Sequence, residues 1–252
     1  VDLVAVAIKT QTQGGSGTMI AKSFLEKGKS VILEQPVSKK EIVELYQSAA
    51  KNKTGFIVGD HYTYLPAIKE FTEYTRSLMQ VQDPIYINID MATQVSFSCC
   101  HVLALIFEKT VNVECEEKFG GSEPFKSVQC KMNGIPVNIR AQNQIAADVS
   151  DNYMHLFFRI SVGFPTGTIT LEDVHDPVVY QERMTIPNIE FVPSGLKELT
   201  EGQLCENRLR ILYESDRSSY RDILTKHWVK AIEEELVELS DISNKKIKQS
   251  DV

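Results

Sequence analysis

The sequence predicts two joined architectures, an α/β domain of parallel βαβ type and then an α+β domain with a large, mainly antiparallel open sheet. Three observations predict this. Short apolar runs alternate with amphipathic helical stripes over the first eighty residues. From Ile85 onward, β-rich runs follow one another with few helices between them. Asn133-Gly134 then stands between two of those runs, the strongest short hairpin signal in the chain.

The elements follow in order. Val1 to Ile8 is an apolar strand, and a Gly14-Gly15-Ser16-Gly17 turn leads into an amphipathic helix from Met19 to Lys27 that Gly28 closes. Ser30 to Leu33 is β-rich and ends in Glu34-Gln35-Pro36, completing one βαβ unit. Ser38 with Glu41 three residues on is a capping box, and Ile42, Leu45, Tyr46 and Ala49 form the helical stripe behind it. Gly55 to Val58 is a further strand with Asp60-His61-Tyr62 past its carboxyl end, the edge where open parallel sheets bind ligands. Pro66 to Met79 is helical, Ile85 to Met91 a strand, and Val102 to Phe107 a short helical piece. Six β runs are expected after it: Val111–Glu116, Lys126–Met132, Ile135–Gln142, Met154–Val162, Thr168–Glu172 and Val178–Met184. A helix is expected from Asn207 to about Leu239, with a polar, frayed tail behind it.

These elements imply a nucleotide-binding Rossmann portion over 1–78, an α+β domain over 79–240, and a tail over 241–252. The G-x-G-x-x-G that cradles phosphates in such domains is not in the sequence, and the chain is expected to lack two or three βα units upstream, roughly 30 residues each. The 252 residues carry 42% hydrophobic and 24% charged side chains, the profile of a globular protein with a sizeable core. A net charge of −7 and the absence of a basic stripe argue against nucleic-acid or anionic-membrane partners. Five cysteines without C-x-x-C spacing are expected to be reduced, structural and cytoplasmic.

The order apolar strand, loop, Gly-ended helix, strand closing on Glu-x-Pro, strand, aromatic-Pro helix and open sheet resembles the glucose-fructose oxidoreductase, inositol dehydrogenase and rhizopine-catabolism group of nicotinamide enzymes. Within that group, Lys9-Thr10, Gly14-Gly15-x-Gly17-Thr18, Glu34-x-Pro36, Gly167-Thr168-x-Thr170-Leu171 and His175-x-Pro177-Val178-Val179 look like the thiazolinyl imine reductases of siderophore biosynthesis. The resemblance implies NADPH as hydride donor, a carrier-bound thiazoline of a nonribosomal peptide synthetase as substrate, and a homodimer, with 79–240 as the substrate and dimerisation domain. It also implies cofactor contacts at Lys9, Thr10, Glu34, Gln35 and Pro36, with the bond before Pro36 often cis. Reducing a C=N requires a proton for the nitrogen. Tyr62 matches a substrate-proximal Tyr of those reductases and is the candidate acid, with His61 beside it and His101 as a further substrate-facing candidate.

Gln35 departs from the pattern, since the wider family has Lys there and the imine reductases His. An amide can orient a ligand but cannot supply a titrating proton. Two alternatives therefore stand beside imine reduction: a sugar or polyol dehydrogenase of the same group, and a nucleotide-binding scaffold without turnover.

Overall fold

The computed structural model describes residues 3–108, 111–116, 120–144, 149, 152–184, 208–214 and 218–244. It divides into two compact units, Val1–Leu65 with Ser218–Val252, and Pro66–Arg217.

In the first unit, β1 (Leu3–Val6), β2 (Ser30–Glu34) and β3 (Phe56–Gly59) form a parallel sheet in the order β1-β2-β3. β2 is the middle strand, and its residues Ser30 to Leu33 are all buried, as expected of a parallel strand covered on both faces. Side-chain alternation sorts that strand into two layers. Val31 and Leu33 join Val6, Phe56 and the inward residues of α1 (Gly17–Glu26) and α2 (Lys39–Asn52), among them Ala21, Leu25, Leu45 and Ala49. Ile32 and Ile57 face the other way, onto Leu239 and Ile242 of a helix from residues beyond 218.

The local signals hold. Gly28 takes φ 75° just after α1, and Ser38 caps α2 with Glu41 reciprocating in the capping box. Gly15 and Gly17 are required by crowding, because a Cβ on either would fall 2.0 Å from the Lys9 carbonyl oxygen or 2.3 Å from that of Ile8. The glycine loop is thereby pressed onto the backbone at the end of β1, with the Gly17 N–H donating to the Lys9 carbonyl at 2.9 Å.

The second unit is built on an eight-stranded sheet. Its strands are β4 (Tyr86–Ala92), β5 (Val113–Cys115), β6 (Phe125–Met132), β7 (Ile135–Gln142), β8 (Phe158–Phe164), β9 (Gly167–Leu171), β10 (Val178–Glu182) and β11 (Leu209–Tyr213). The order is β11-β10-β9-β8-β4-β7-β6-β5, antiparallel throughout except for the parallel pair of β4 and β7. Two helices, α3 (Pro66–Met79) and α4 (Ser96–Phe107), pack together and against its strands. Asn133 and Gly134 turn β6 into β7 with φ of 51° and 83°, the backbone that a two-residue turn of this type demands. The fold is thus a three-stranded parallel α/β unit of Rossmann type and a mixed, mostly antiparallel sheet domain.

Three expectations are corrected. The division falls at Leu65 and Pro66 rather than after residue 78, and the last helix belongs to the first unit, because its apolar stripe covers Ile32 and Ile57. The helix expected from Asn207 is instead β11, after which α5 (Tyr220–Asp222) leads through a π turn, Ile223–His227, into α6 (Trp228–Ser243). The unpaired edge of β10 offers main-chain partners to 209–213, and that pairing overrides a weak helical stripe. Finally, Cys115 and Cys130 form a disulfide rather than remaining free thiols, because the β5–β6 register sets them directly opposite with Cα atoms 4.0 Å apart. Cys99 is a buried thiol and Cys100 an exposed one, while Cys205, Asn207 and the tail from 245 lie outside the described residues.

Candidate active site

Seven of the eight residues selected from the sequence lie in the first unit, at or just beyond the carboxyl ends of its strands. Parallel strands place their following loops on one edge of a sheet, so residues distant in sequence become neighbours there. Thr10 is fully buried, and its hydroxyl donates to the Pro36 carbonyl at 2.7 Å, joining the loop after β1 to the loop after β2. The Gln35–Pro36 peptide bond is cis. Lys9 and Glu34 are exposed beside this contact.

A second tie lies behind the same loops. The carboxylate of Glu41, 5% exposed, accepts the hydroxyls of Thr12, Thr18 and Ser38 and the Ser38 N–H. Burial alone would raise its pKa, but these bonds override it and hold the group down to about 2. Glu41 therefore clamps the glycine loop to the start of α2 as a permanent anion.

Beyond β3 the environment is different. Asp60 is 1% exposed, and its side chain lies 3.5 Å from the Gln35 amide nitrogen. Its own N–H donates to the carboxylate of Glu235 on α6. Tyr62 is buried; its ring stacks on His61 with centroids 4.3 Å apart, and Trp228 lies 4.9 Å from His61 and 6.0 Å from Tyr62. The Tyr64 hydroxyl donates to Glu238. His61 Nε2 is buried with no hydrogen-bond partner among the described residues, and burial pushes the ring's pKa down against the opposing pull of Asp60.

Carboxylates crowd this edge. Glu34 is exposed as a residue but its carboxyl is partly desolvated, and that, followed by the charge of Asp60, raises it above the ordinary carboxylate range. Glu235 is pushed up to about 7, first by burial and further by Asp60, Glu34 and Glu238, with the Asp60 N–H opposing. Burial and Glu238 likewise raise Tyr64. The edge can thus hold a carboxyl proton near neutral pH.

The structure brings together Lys9, Thr10, Glu34, Gln35, Pro36, His61 and Tyr62 as one group of neighbouring loops. His101 belongs to the second unit, on α4 beside Phe97 with ring centroids 6.4 Å apart. That unit also has an open groove of about 670 Å³, lined in part by Arg76, Phe107 and Ile135, which none of the selected residues enters. Sequence reasoning put Asp60 at this edge without giving it a role, and missed Trp228, Glu235 and Glu238. One signal was available: Glu235 interrupts the apolar stripe Trp228, Ala231, Leu239, Ile242, where an unsatisfied carboxylate would be costly.

Residues 1–60 match the family model described as "Oxidoreductase family, NAD-binding Rossmann fold", and residues 82–181 match "Thiazolinyl imine reductase Irp3-like, C-terminal". No curated protein matches the chain. Among solved structures, the biliverdin reductase of Synechocystis sp., in complex with biliverdin and NADP+, is similar with a TM-score of 0.52 at 14% identity. That match covers 75% of this chain, which spans only 65% of the reductase. An oxidoreductase of Agrobacterium radiobacter in complex with NAD+, L-tartaric acid and magnesium gives 0.61 at 9% identity, over 97% of this chain and 70% of that one. The super-repressor mutant of Gal80p from Saccharomyces cerevisiae gives 0.63 at 13% identity, over 98% and 68%. At these identities the likeness is one of fold.

Proposed function

We propose that the protein is an NADPH-dependent reductase of a thiazoline C=N, acting on a carrier-bound nonribosomal peptide intermediate and yielding the thiazolidine. The observation that carries this reading is the imine-reductase match over 82–181, standing directly behind an NAD-binding Rossmann match over 1–60. The strand edge supports it. Buried Thr10, exposed Lys9, the Gln35 amide and the buried His61 Nε2, which has no hydrogen-bond partner among the described residues, suit the nicotinamide end of a dinucleotide, while the chain carries no phosphate-cradling G-x-G-x-x-G.

When bound, the reduced nicotinamide supplies a hydride to the ring carbon. The chain's own residues supply position and proton. The Thr10–Pro36 bond and the Glu41 clamp fix the two loops that would hold the cofactor. Gln35 orients through its amide and leaves the proton to another group. The Tyr62 hydroxyl gives its proton to the ring nitrogen, and the phenolate is reprotonated from solvent. The strand-edge carboxylates Glu34 and Asp60 favour the protonated, more electrophilic form of the imine.

The test is NADPH oxidation by the complete gene product offered a synthetic thiazoline thioester and a panel of sugars and polyols. Turnover with the thiazoline alone is expected. Tyr62→Phe is then expected to lower kcat about 100-fold or more while nucleotide affinity changes less than about twofold. Sugar-dependent turnover overturns the imine reading, and nucleotide binding without any turnover makes the protein a scaffold.

A further inference from the structure

The turn that carries the candidate acid is held from far along the chain. Asp60 N–H emerges just past the last paired residue of β3, in a position 1% exposed, where an unpaired donor would be costly. It is satisfied by Glu235, which lies 175 residues away in sequence. Glu235 stands on a fixed base, because Leu239 and Ile242 on the same helix are packed against Ile32 and Ile57. Glu238 takes the Tyr64 hydroxyl, and Trp228 lies against His61 and Tyr62, so three side chains of α6 hold the segment from Asp60 to Tyr64. Within that segment the Thr63 hydroxyl and N–H close back on the Asp60 carbonyl, at 2.9 and 3.2 Å.

We propose that Glu235 is a positioning residue, fixing the Asp60–Tyr62 turn through the Asp60 N–H that its carboxylate accepts, and with it the place of the Tyr62 hydroxyl. The assignment rests on the proposed reductase reading for the role of Tyr62, but the contact itself does not. An acceptor oxygen at this point is what the turn needs. Gln supplies one at the same reach, Asp is one methylene too short, and Leu supplies none.

The experiment compares Glu235→Leu, Glu235→Asp and Glu235→Gln in the complete gene product. It uses three readouts: kcat and KM with the thiazoline thioester, NADPH affinity, and the emission of Trp228. That residue is the one tryptophan in the 252-residue sequence, and it lies against His61. The Leu variant is expected to lose about 10- to 100-fold in kcat, with KM and nucleotide affinity within about twofold of the parent, as displacement of a catalytic group requires. Its Trp228 emission is expected to shift as the turn releases His61. The Gln variant is expected to return kcat to within about threefold of the parent and to restore the emission. Should Leu prevent folding, Asp decides in its place, since it keeps the charge and loses the reach. Parental kcat and emission in the Leu or Asp variant overturn the proposal, as does a Gln variant no better than Leu. If the parent binds NADPH and does not reduce the thiazoline, the reductase reading fails by itself, and the emission series still decides whether Glu235 holds the turn.

Discussion

Two carboxylates in the first unit, Glu41 and Glu235, are each 5% exposed, each joins a helix to a strand-edge loop, and they titrate in opposite directions. Glu41 gathers three hydroxyls and the main-chain N–H groups of Thr12 and Ser38, every one a donor, and the groups that shift it include no carboxylate. Glu235 accepts one main-chain N–H and faces Asp60, Glu34 and Glu238. Equal burial thus says little about a buried acid; the count of donors against like charges decides its proton. The Glu41 clamp is indifferent to pH in the working range, and the α6 contact is sensitive to it.

The comparison can be tested most severely at Glu41. Glu41→Ala leaves the hydroxyls of Thr12, Thr18 and Ser38 without their acceptor and is expected to cost about 3 kcal/mol, read from urea unfolding at pH 7. Its folded pKa lies below the ordinary 4.5, so the stability it contributes is present above that value and lost as pH falls toward 2. The gap between parent and variant should therefore narrow in acid. Unfolding that depends on pH identically in both would remove the clamp as an ionised group.

Glu235→Gln should behave in the reverse sense. A folded pKa near 7, raised above 4.5, means that the acid's contribution is full below about pH 4.5 and is lost as pH rises through 7. The Gln variant is expected to match the parent at pH 5 and to exceed it by roughly 2 kcal/mol above pH 7.5, where the parent carries the repelled charge. Equal midpoints across that range would show that Glu235 is not perturbed. Next in size, Thr18→Val removes one donor from Glu41 and is expected to cost about 1 kcal/mol at pH 7. Smallest is Glu44→Gln, which breaks the exposed Lys22–Glu44 pair, 2.5 Å between α1 and α2, and should leave the unfolding midpoint unchanged.

The difference between these sites also marks what could be read from the chain. Ser38 and Glu41 are three residues apart, so the capping box was visible, as was the turn at Asn133-Gly134, because both are local backbone requirements. Ile135–Gln142 was legible to the residue from its β-rich run and bounding turn. The additional threonines on Glu41 come from another loop, and the partner of Glu235 from another strand, so neither followed from spacing. β11 and the Cys115–Cys130 bond depend on register across a sheet, which periodicity does not specify. Among the proposed site residues, Thr10 and Pro36 could be paired in advance only through a resemblance, and the contact between them is now explicit.

The covering of Ile32 and Ile57 by Leu239 and Ile242 has a consequence for how the protein is made. Residues to Leu65 leave the ribosome about 150 residues before Ser218 does, an interval on the order of 10–30 s at ordinary elongation rates. Throughout that interval Ile32 and Ile57 lack the two α6 side chains that cover them and are that much more open to whatever is near. The nascent chain should therefore hold chaperones until α6 emerges, and release them when the sheet's second face closes.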